Sequence, residues 1–264
     1  MTPTPLDAIS TRDVACSGFC AHCGREHALP VGDALVAARE LARVLDVSGR
    51  MDFDMDEAHA DPRLALSHLW GEARGQMFGV MVCEDAEGRR HVLRAFSGQY
   101  NGLWRVDGWV PPVLDVDAFH RIGDPVERAI KALGREMAAL PTSDPRRAEL
   151  SRRRKAMSQH LMRDFHDLYR LRNFHGDERP MAEVFLGGGG MPTGVGDCCA
   201  PKLLNHAVRH GLRPLGLVEF YWGRENRSGT RTHGLCYPAC DGKCRPILGF
   251  MLCGLDAAQG EGLS

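Results

Sequence analysis

The chain has 264 residues, of which 44% are hydrophobic and 25% are charged. This is ordinary globular composition, and the length allows one large domain or two small ones. The formal net charge of −1 excludes a protein that binds polyanions through its overall field. Any contact with nucleic acid must therefore come from a local basic patch.

Neither membrane insertion nor secretion is indicated. No apolar run approaches the roughly 18 residues that a membrane-spanning helix needs. Residues 1–14 carry Asp7, Arg12 and Asp13 and lack the apolar core of a secretory signal. Ten cysteines in a long chain without such a signal favour reduced thiols over a disulfide scaffold. We therefore expect a cytoplasmic protein.

The first cysteine group is Cys16-x3-Cys20-x2-Cys23, with His27 four residues further on. One interpretation is a small Cys-rich knuckle over residues 1–30, in which Cys16, Cys20, Cys23 and His27 hold a structural zinc ion. A second is a radical-SAM iron–sulfur site, which has the same cysteine spacing but requires repeated strand–helix units after it. A third is a set of thiols without a ligand.

The middle of the chain predicts a helix over 31–46 and a hairpin whose strands cover 77–82 and 91–96. The aromatic and glycine-rich stretch 97–112 that follows borders a site or anchors a loop. Trp104, Trp109 and Trp222 are candidates to stack on a base, with core packing as the alternative that we expect for at least one of them.

Two Asp-Pro pairs, at 124–125 and 144–145, predict the starts of two amphipathic helices. These helices form an inserted helical hairpin at about 124–174 within a domain over 31–253, and residues 254–264 form a tail. The second helix opens with a basic run that either grips RNA phosphates or is a solvated face. The candidate RNA-binding residues are Arg146, Arg147, Arg152, Arg153, Arg154 and Lys155.

The second cysteine group predicts a metal site. Cys198 and Cys199 fall at the start of a helix predicted for 197–210, where the backbone N–H groups favour thiolates. Cys240 and Cys244 lie in a Pro-x-Cys-x3-Cys turn that opens another helix. Cys198, Cys240 and Cys244 would give zinc three ligands and leave a fourth position for water. The alternative is that they are small buried thiols.

The order of these elements resembles that of the zinc nucleobase deaminases, which pair a His- or Cys-x-Glu with a Pro-Cys-x2-Cys turn. This sequence departs from the pattern, since Ala200 stands where the Glu would be and the cysteine spacing is x3. Asp197 or Glu219 would then supply the carboxylate, and His233 would contact either the substrate or a residue next to the metal ligands. The resemblance implies an α+β fold: an α/β sandwich with a mixed sheet and flanking helices.

Several strings together resemble the uncharacterised N-terminal region that is fused to some RluA-type pseudouridine synthases. They are GQMFGVMVC (75–83), RAFSGQ (94–99), VPP (110–112), GDCCAPKLL (196–204), EFYWG (219–223) and YPACDGKCRPIL (237–248). The synthases' Arg-Leu-Asp nucleophile motif has no counterpart, since Arg43-Val-Leu-Asp46 does not match it. The resemblance implies a role beside RNA modification without isomerisation of uridine.

These observations favour a zinc-dependent, deaminase-like protein that acts on or near RNA bases and carries one or two zinc ions. An alternative is a non-enzymatic RNA-binding module, stabilised by zinc, that serves a pseudouridine synthase. A radical-SAM enzyme is the second alternative. A fourth protein ligand from Cys199, Cys236 or His233 would favour the module, and an open metal position beside a carboxylate would favour the enzyme.

Overall fold

A computed structural model describes residues 3–255. Its strands are β1 (Thr4–Pro5), β2 (Val14–Cys20), β3 (Arg25–Pro30), β4 (Gln76–Glu84), β5 (Arg90–Phe96), β6 (Arg170–Arg172), β7 (Glu178–Pro180), β8 (Arg213–Trp222) and β9 (Leu235–Cys236). Its α-helices are α1 (Ala34–Ser48), α2 (Val116–Ala139), α3 (Arg146–His166), α4 (Met181–Val184), α5 (Cys199–Arg209) and α6 (Arg245–Leu252). Across 3–255, every helix is too short or too polar to cross a lipid bilayer.

The described chain forms two compact units. The larger lies within Met1–Val113, Leu171–Arg179 and Val184–Ser264, as far as these spans are described. The smaller comprises Leu114–Arg170 and Pro180–Glu183. The predicted 1–30 segment belongs to the larger unit, and the predicted tail lies outside the described residues from 256 onward.

The larger unit is built on a five-stranded sheet in the order β1-β9-β8-β4-β5. All four pairings in this sheet are antiparallel, so the prediction of a mixed sheet is wrong. The mixed sheet was implied only by the resemblance to the zinc nucleobase deaminases. However, β5 and β8, which run in the same direction, lie on either side of β4 rather than side by side.

Helices cover both faces of the sheet, which is why β4 and β8 are almost wholly buried. Side chains alternate between the two faces of a strand. The register partners Gly79 and Glu219 face α5, and the next pair, Val80 and Val218, faces α1. The predicted α+β class with flanking helices is confirmed at this level.

The hairpin of β2 and β3 packs against α6 at very short range. A Cβ atom on Gly18 would lie 2.5 Å from the backbone nitrogen of Gly249, and one on Gly249 would lie 2.1 Å from the carbonyl oxygen of Phe19. Only glycines at both positions allow this approach. The hairpin and the helix are therefore fixed against each other backbone to backbone.

The smaller unit consists mainly of the antiparallel helices α2 and α3. The predicted start of the first helix at Asp124-Pro125 is wrong, because α2 begins at Val116 and contains Pro125 in its interior. Its cap is Asp115, whose carboxylate accepts two backbone N–H groups. The predicted start of α3 after Asp144-Pro145 is confirmed.

The tryptophans predicted to stack on a base are core residues instead. Trp104, Trp109 and Trp222 are each at most 8% exposed. The Trp109 indole donates a hydrogen bond to the Met51 carbonyl oxygen and packs against Phe78. Their burial leaves no ring face of the three free for a ligand.

Candidate metal centre and cavity

Three cysteine sulfur atoms converge where two helices begin. Cys198 is the N-cap of α5 and Cys244 is the N-cap of α6, while Cys240 precedes α6 in a turn. The Sγ atoms of Cys198, Cys240 and Cys244 all lie within 4.8 Å of one another, and those of Cys240 and Cys244 are 3.5 Å apart. The sulfurs that the sequence interpretation grouped are thus brought together.

The chemistry of this trio fits a divalent cation. Hydrogen bonding with Cys198 and Cys244 holds the pKa of Cys240 far below its ordinary value. The hydrogen bond with Cys240 raises the pKa of Cys198, and the hydrogen bonds with Cys198 and Cys240 raise the pKa of Cys244. Three thiolates this close would repel one another without a cation between them. A soft divalent ion would replace the shared protons and allow all three to ionise.

No fourth donor completes the trio within residues 3–255. Cys199, the next residue, turns its thiol into the core, where it donates to the carbonyl oxygens of Met77 and Ala95. Cys236 is buried on β9. The candidate metal position therefore has three protein ligands and room for a fourth from solution.

A buried carboxylate stands beside the trio. Glu219 lies on β8 opposite Gly79 of β4, and a Cβ on Gly79 would come within 2.5 Å of the Cβ of Cys199. The missing side chain lets the start of α5 approach the sheet, so that Glu219 Oε1 accepts the Ala200 N–H at 2.6 Å. Burial raises the pKa of Glu219 to about 7.

A buried lysine holds the neighbouring loop in place. The Lys202 ammonium group, on α5, donates to the carbonyl oxygens of Phe96 and Gly98, each at 2.8 Å. It also lies 4.7 Å from the centre of the Phe96 ring. These contacts satisfy a charge that burial would otherwise destabilise. Lys202 is a positioning residue for the loop 97–99 at the cavity wall.

The trio and Glu219 line one open cavity of about 780 Å³. Its polar lining combines amides, hydroxyls, carboxylates and two cations. These residues are Gln76, Ser97, Gln99, Asp197, Ser228, Thr230, Arg231 and Lys243. The size matches small-molecule sites.

The three residues predicted to be catalytic have different positions. Asp197 and Glu219 line the cavity. His233 is not among its lining residues; its Nδ1 accepts the Gly223 N–H, and its ring packs on Trp70 and Trp222. The structure therefore gives His233 a packing role in place of the predicted contact to substrate.

The N-terminal cysteine group has a different membership from the predicted one. Cys20, Cys23, His27 and Cys253 place their donor atoms within 4.8 Å of one another. Cys16 is outside this group. It lies four residues before Cys20 on the extended strand β2, a separation of about 13 Å. The knuckle prediction assumed a compact turn, whereas the structure has a hairpin.

The radical-SAM interpretation loses its structural basis for the same reason. It needs Cys16 beside Cys20 and Cys23, followed by repeated units of strand and helix that build a parallel sheet. In the part of the chain that the structure describes, the main sheet is antiparallel throughout.

The chain was compared with protein-family models, with curated proteins and with solved structures. None of these comparisons gave a match. The site must therefore be judged on its own geometry.

Sequence reasoning missed Cys253 as a donor. It follows the end of α6 and has no neighbouring cysteine or histidine to form a spacing motif. It also missed Lys243, Thr230 and Arg231 at the cavity, because these lie in loops whose course depends on the fold. The stretch 97–112 did signal the cavity wall, which its first three residues form.

Proposed function

We propose that this protein is a metal-dependent hydrolase of the deaminase type, with Cys198, Cys240 and Cys244 as ligands of a zinc ion. The observation that supports the proposal is the place of the Glu219 carboxylate. It is bound to the backbone of Ala200, two residues after a cysteine ligand. The deaminase pattern carries its catalytic Glu at that position.

Glu219 on β8 thus brings a carboxylate to the position that the Glu of the deaminase pattern occupies two residues after the first ligand. Glu219 Oε1 is engaged by the Ala200 N–H, whereas Oε2 has no hydrogen-bond partner among the described residues. A carboxylate that lines a cavity and has one oxygen anchored by a backbone N–H is held in place to accept and return a proton. Three-cysteine zinc sites are also known among deaminases.

A divalent ion at the trio would act as a Lewis acid and make water at the site more acidic. Glu219 would take one proton from a water molecule at the site as the water oxygen adds to the ring carbon that carries the amine. Glu219 then delivers the proton toward the departing nitrogen. The C–O bond would form, the C–N bond would break, and ammonia would leave with that proton. The remaining hydroxyl proton would move to the ring nitrogen, so that the products are a ring carbonyl compound and ammonia. Gln76, Ser97 and Thr230 offer hydrogen-bonding groups to the edge of a heteroaromatic ring.

The test is release of ammonia by the zinc-loaded protein from cytosine and adenine nucleosides and from short single-stranded RNAs. Replacing Glu219 with Gln keeps an oxygen for the Ala200 N–H and removes the proton acceptor. We expect this variant to keep its metal and to lose about 100- to 10,000-fold in rate. Cys240→Ser is expected to lose both metal and activity.

The matched control is Glu84→Gln, a carboxylate variant on β4 whose side chain pairs with Arg213 away from the cavity lining. It should keep wild-type metal content and rate. No ammonia from any of these substrates, or an active Glu219→Gln variant, would refute the deaminase proposal.

We also propose that RNA is bound through α3, in line with an RNA-modification role beside a pseudouridine synthase. The exposed side chains of Arg153, Arg154 and Lys155 support this. Arg147 serves the fold instead, since its guanidinium donates to the last carbonyl oxygens of α2. Arg146 and Arg152 are paired with Asp144 and Glu149.

Glutamine at 153, 154 and 155 together should weaken RNA binding. The slope of log Kd against log salt should fall by about 2, which is about 0.7 for each of three lost phosphate contacts on a single strand. The control is a triple variant on α2 with the same change in charge, Arg121→Gln with Arg128→Gln and Lys131→Gln. Equal loss of affinity in both triple variants would indicate non-specific charge attraction and contradict a site on α3.

A further inference from the structure

Four donor atoms outside the cavity meet at one end of the β2–β3 hairpin. Cys20 ends β2, Cys23 lies in the four-residue turn, and His27 is the third residue of β3. Cys253 follows the last residue of α6. The Sγ of Cys23 and the Nε2 of His27 are 3.0 Å apart, and all four donors lie within 4.8 Å of one another.

The hairpin register explains how three of these donors meet. Gly18 pairs with His27 and Cys20 pairs with Arg25, so Cys20 and His27 are diagonal neighbours on one face of the hairpin. Gly24, with φ of +71°, closes the turn and donates its N–H to the Cys20 carbonyl oxygen at 2.8 Å. The turn places the Cys23 thiol next to Cys20 and His27.

The fourth donor comes from a distant part of the chain. The close glycine contact between β2 and α6 brings the helix directly against the hairpin. Cys253 comes immediately after the C-terminal end of that helix, where it is 1% exposed. Cys20 is also 1% exposed, and His27 is 7% exposed. Only Cys23, among the four, is exposed to solvent.

We propose that Cys20, Cys23, His27 and Cys253 hold a second divalent metal ion, zinc by the chemistry of its donors, in a closed structural site. Three thiolates and one imidazole fill a tetrahedral zinc shell and leave no position for substrate. None of the four residues lines the 780 Å³ cavity. The site ties the N-terminal hairpin to the far end of the chain's last described helix.

Elemental analysis of the full chain tests this site. The wild type should contain two zinc equivalents per chain. Cys253→Ser should lose one, and so should Cys23→Ser, whose exposed position leaves the core packing intact. Cys16→Ser is the matched control, because Cys16 is a buried thiol of the same hairpin outside the group. It should keep both.

Cys240→Ser separates this inference from the proposed function. If the cavity trio binds no metal, the wild type will hold one equivalent, which Cys240→Ser keeps and Cys23→Ser loses. That result would contradict the hydrolase proposal and support the second metal site. A folded Cys23→Ser or Cys253→Ser variant with wild-type metal content would overturn the second site, as would iron with acid-labile sulfide. If Cys253→Ser fails to fold, Cys23→Ser decides.

Discussion

At the scale of single residues, the site depends on side chains that the fold brings together from distant positions. Glu219 and Ala200 are 19 residues apart, yet the carboxylate oxygen and the backbone N–H are 2.6 Å apart. No spacing rule connects a strand residue to the start of the preceding helix. The sequence could offer Glu219 only as one of two candidate carboxylates, and the sheet register distinguishes its role from that of Asp197.

The ion pair between Arg50 and Asp52 predicts how the stability of the fold depends on pH. The Arg50 guanidinium donates to Asp52 at 2.8 Å, and the Asp61 N–H donates to the same carboxylate at 3.0 Å. The hydrogen bond from Arg50 lowers the pKa of Asp52 in the folded state. A carboxyl with a depressed folded pKa stabilises the fold above its unfolded pKa of about 3.9. This stability is lost as the pH falls through the folded pKa.

We therefore expect Asp52→Asn to lower the free energy of unfolding at neutral pH by about 1–3 kcal/mol. It should also flatten the decline in stability below about pH 4. Denaturant unfolding at several pH values measures both effects. Asp107→Asn, at an exposed carboxylate, should change neither. An acid decline as steep in Asp52→Asn as in the wild type would contradict the assignment.

At the scale of elements, the position of α5 on the sheet depends on Gly79. A methyl group there would meet the Cβ of Cys199 at 2.5 Å, so α5 would have to move and take Cys198 with it. We expect Gly79→Ala to lower the free energy of unfolding by about 1–3 kcal/mol. Metal affinity at the trio should fall as well, as measured by competition with a chelator.

Gly134→Ala in α2 is the control for this change. Its added methyl group meets nothing closer than 3.8 Å, and alanine favours a helix interior by up to about 1 kcal/mol over glycine. It should leave metal affinity unchanged and keep or raise stability. Unaltered metal affinity in Gly79→Ala would show that α5 does not set the position of Cys198.

Elements that are encoded by neighbouring residues could be predicted from the sequence, whereas features set by contacts between distant segments could not. The strands at 77–82 and 91–96 were predicted because an apolar run, a turn sequence and a second strand-forming run follow one another along the chain. The structure has β4 and β5 at these positions. The start of α2 was misplaced because Asp115 is as good a cap as Asp124 and a proline can also sit inside a helix. The antiparallel sheet was missed because strand order is set by contacts between distant segments. Cys253 was missed for that reason too.

At the scale of the whole molecule, the larger unit contains both cysteine groups, whereas the smaller unit contains neither. The larger unit should therefore depend on metal for its stability. An ion present at about 1,000 times its Kd stabilises the state that binds it by about 4 kcal/mol. For a chain of this size, 1 kcal/mol corresponds to about 2–4 °C in Tm.

We expect a strong chelator to lower the Tm by about 8–16 °C for each ion that it removes. Zinc added after the chelator is removed should restore it, whereas magnesium should not, because magnesium prefers oxygen ligands to thiolates. Calorimetry with parallel metal analysis makes the measurement. A chelated sample that is free of metal and melts at the original temperature would show that neither ion contributes to folding.

Helix α6 also constrains how the chain can change in length. Its eight residues span about 12 Å, and they separate a cavity thiol at one end from a hairpin-facing thiol at the other. One inserted residue would swing Cys253 by about 100° around the helix axis relative to Cys244. This short helix therefore sets a fixed distance between the two cysteine groups, and a one-residue insertion in it would disturb the geometry of both groups at once.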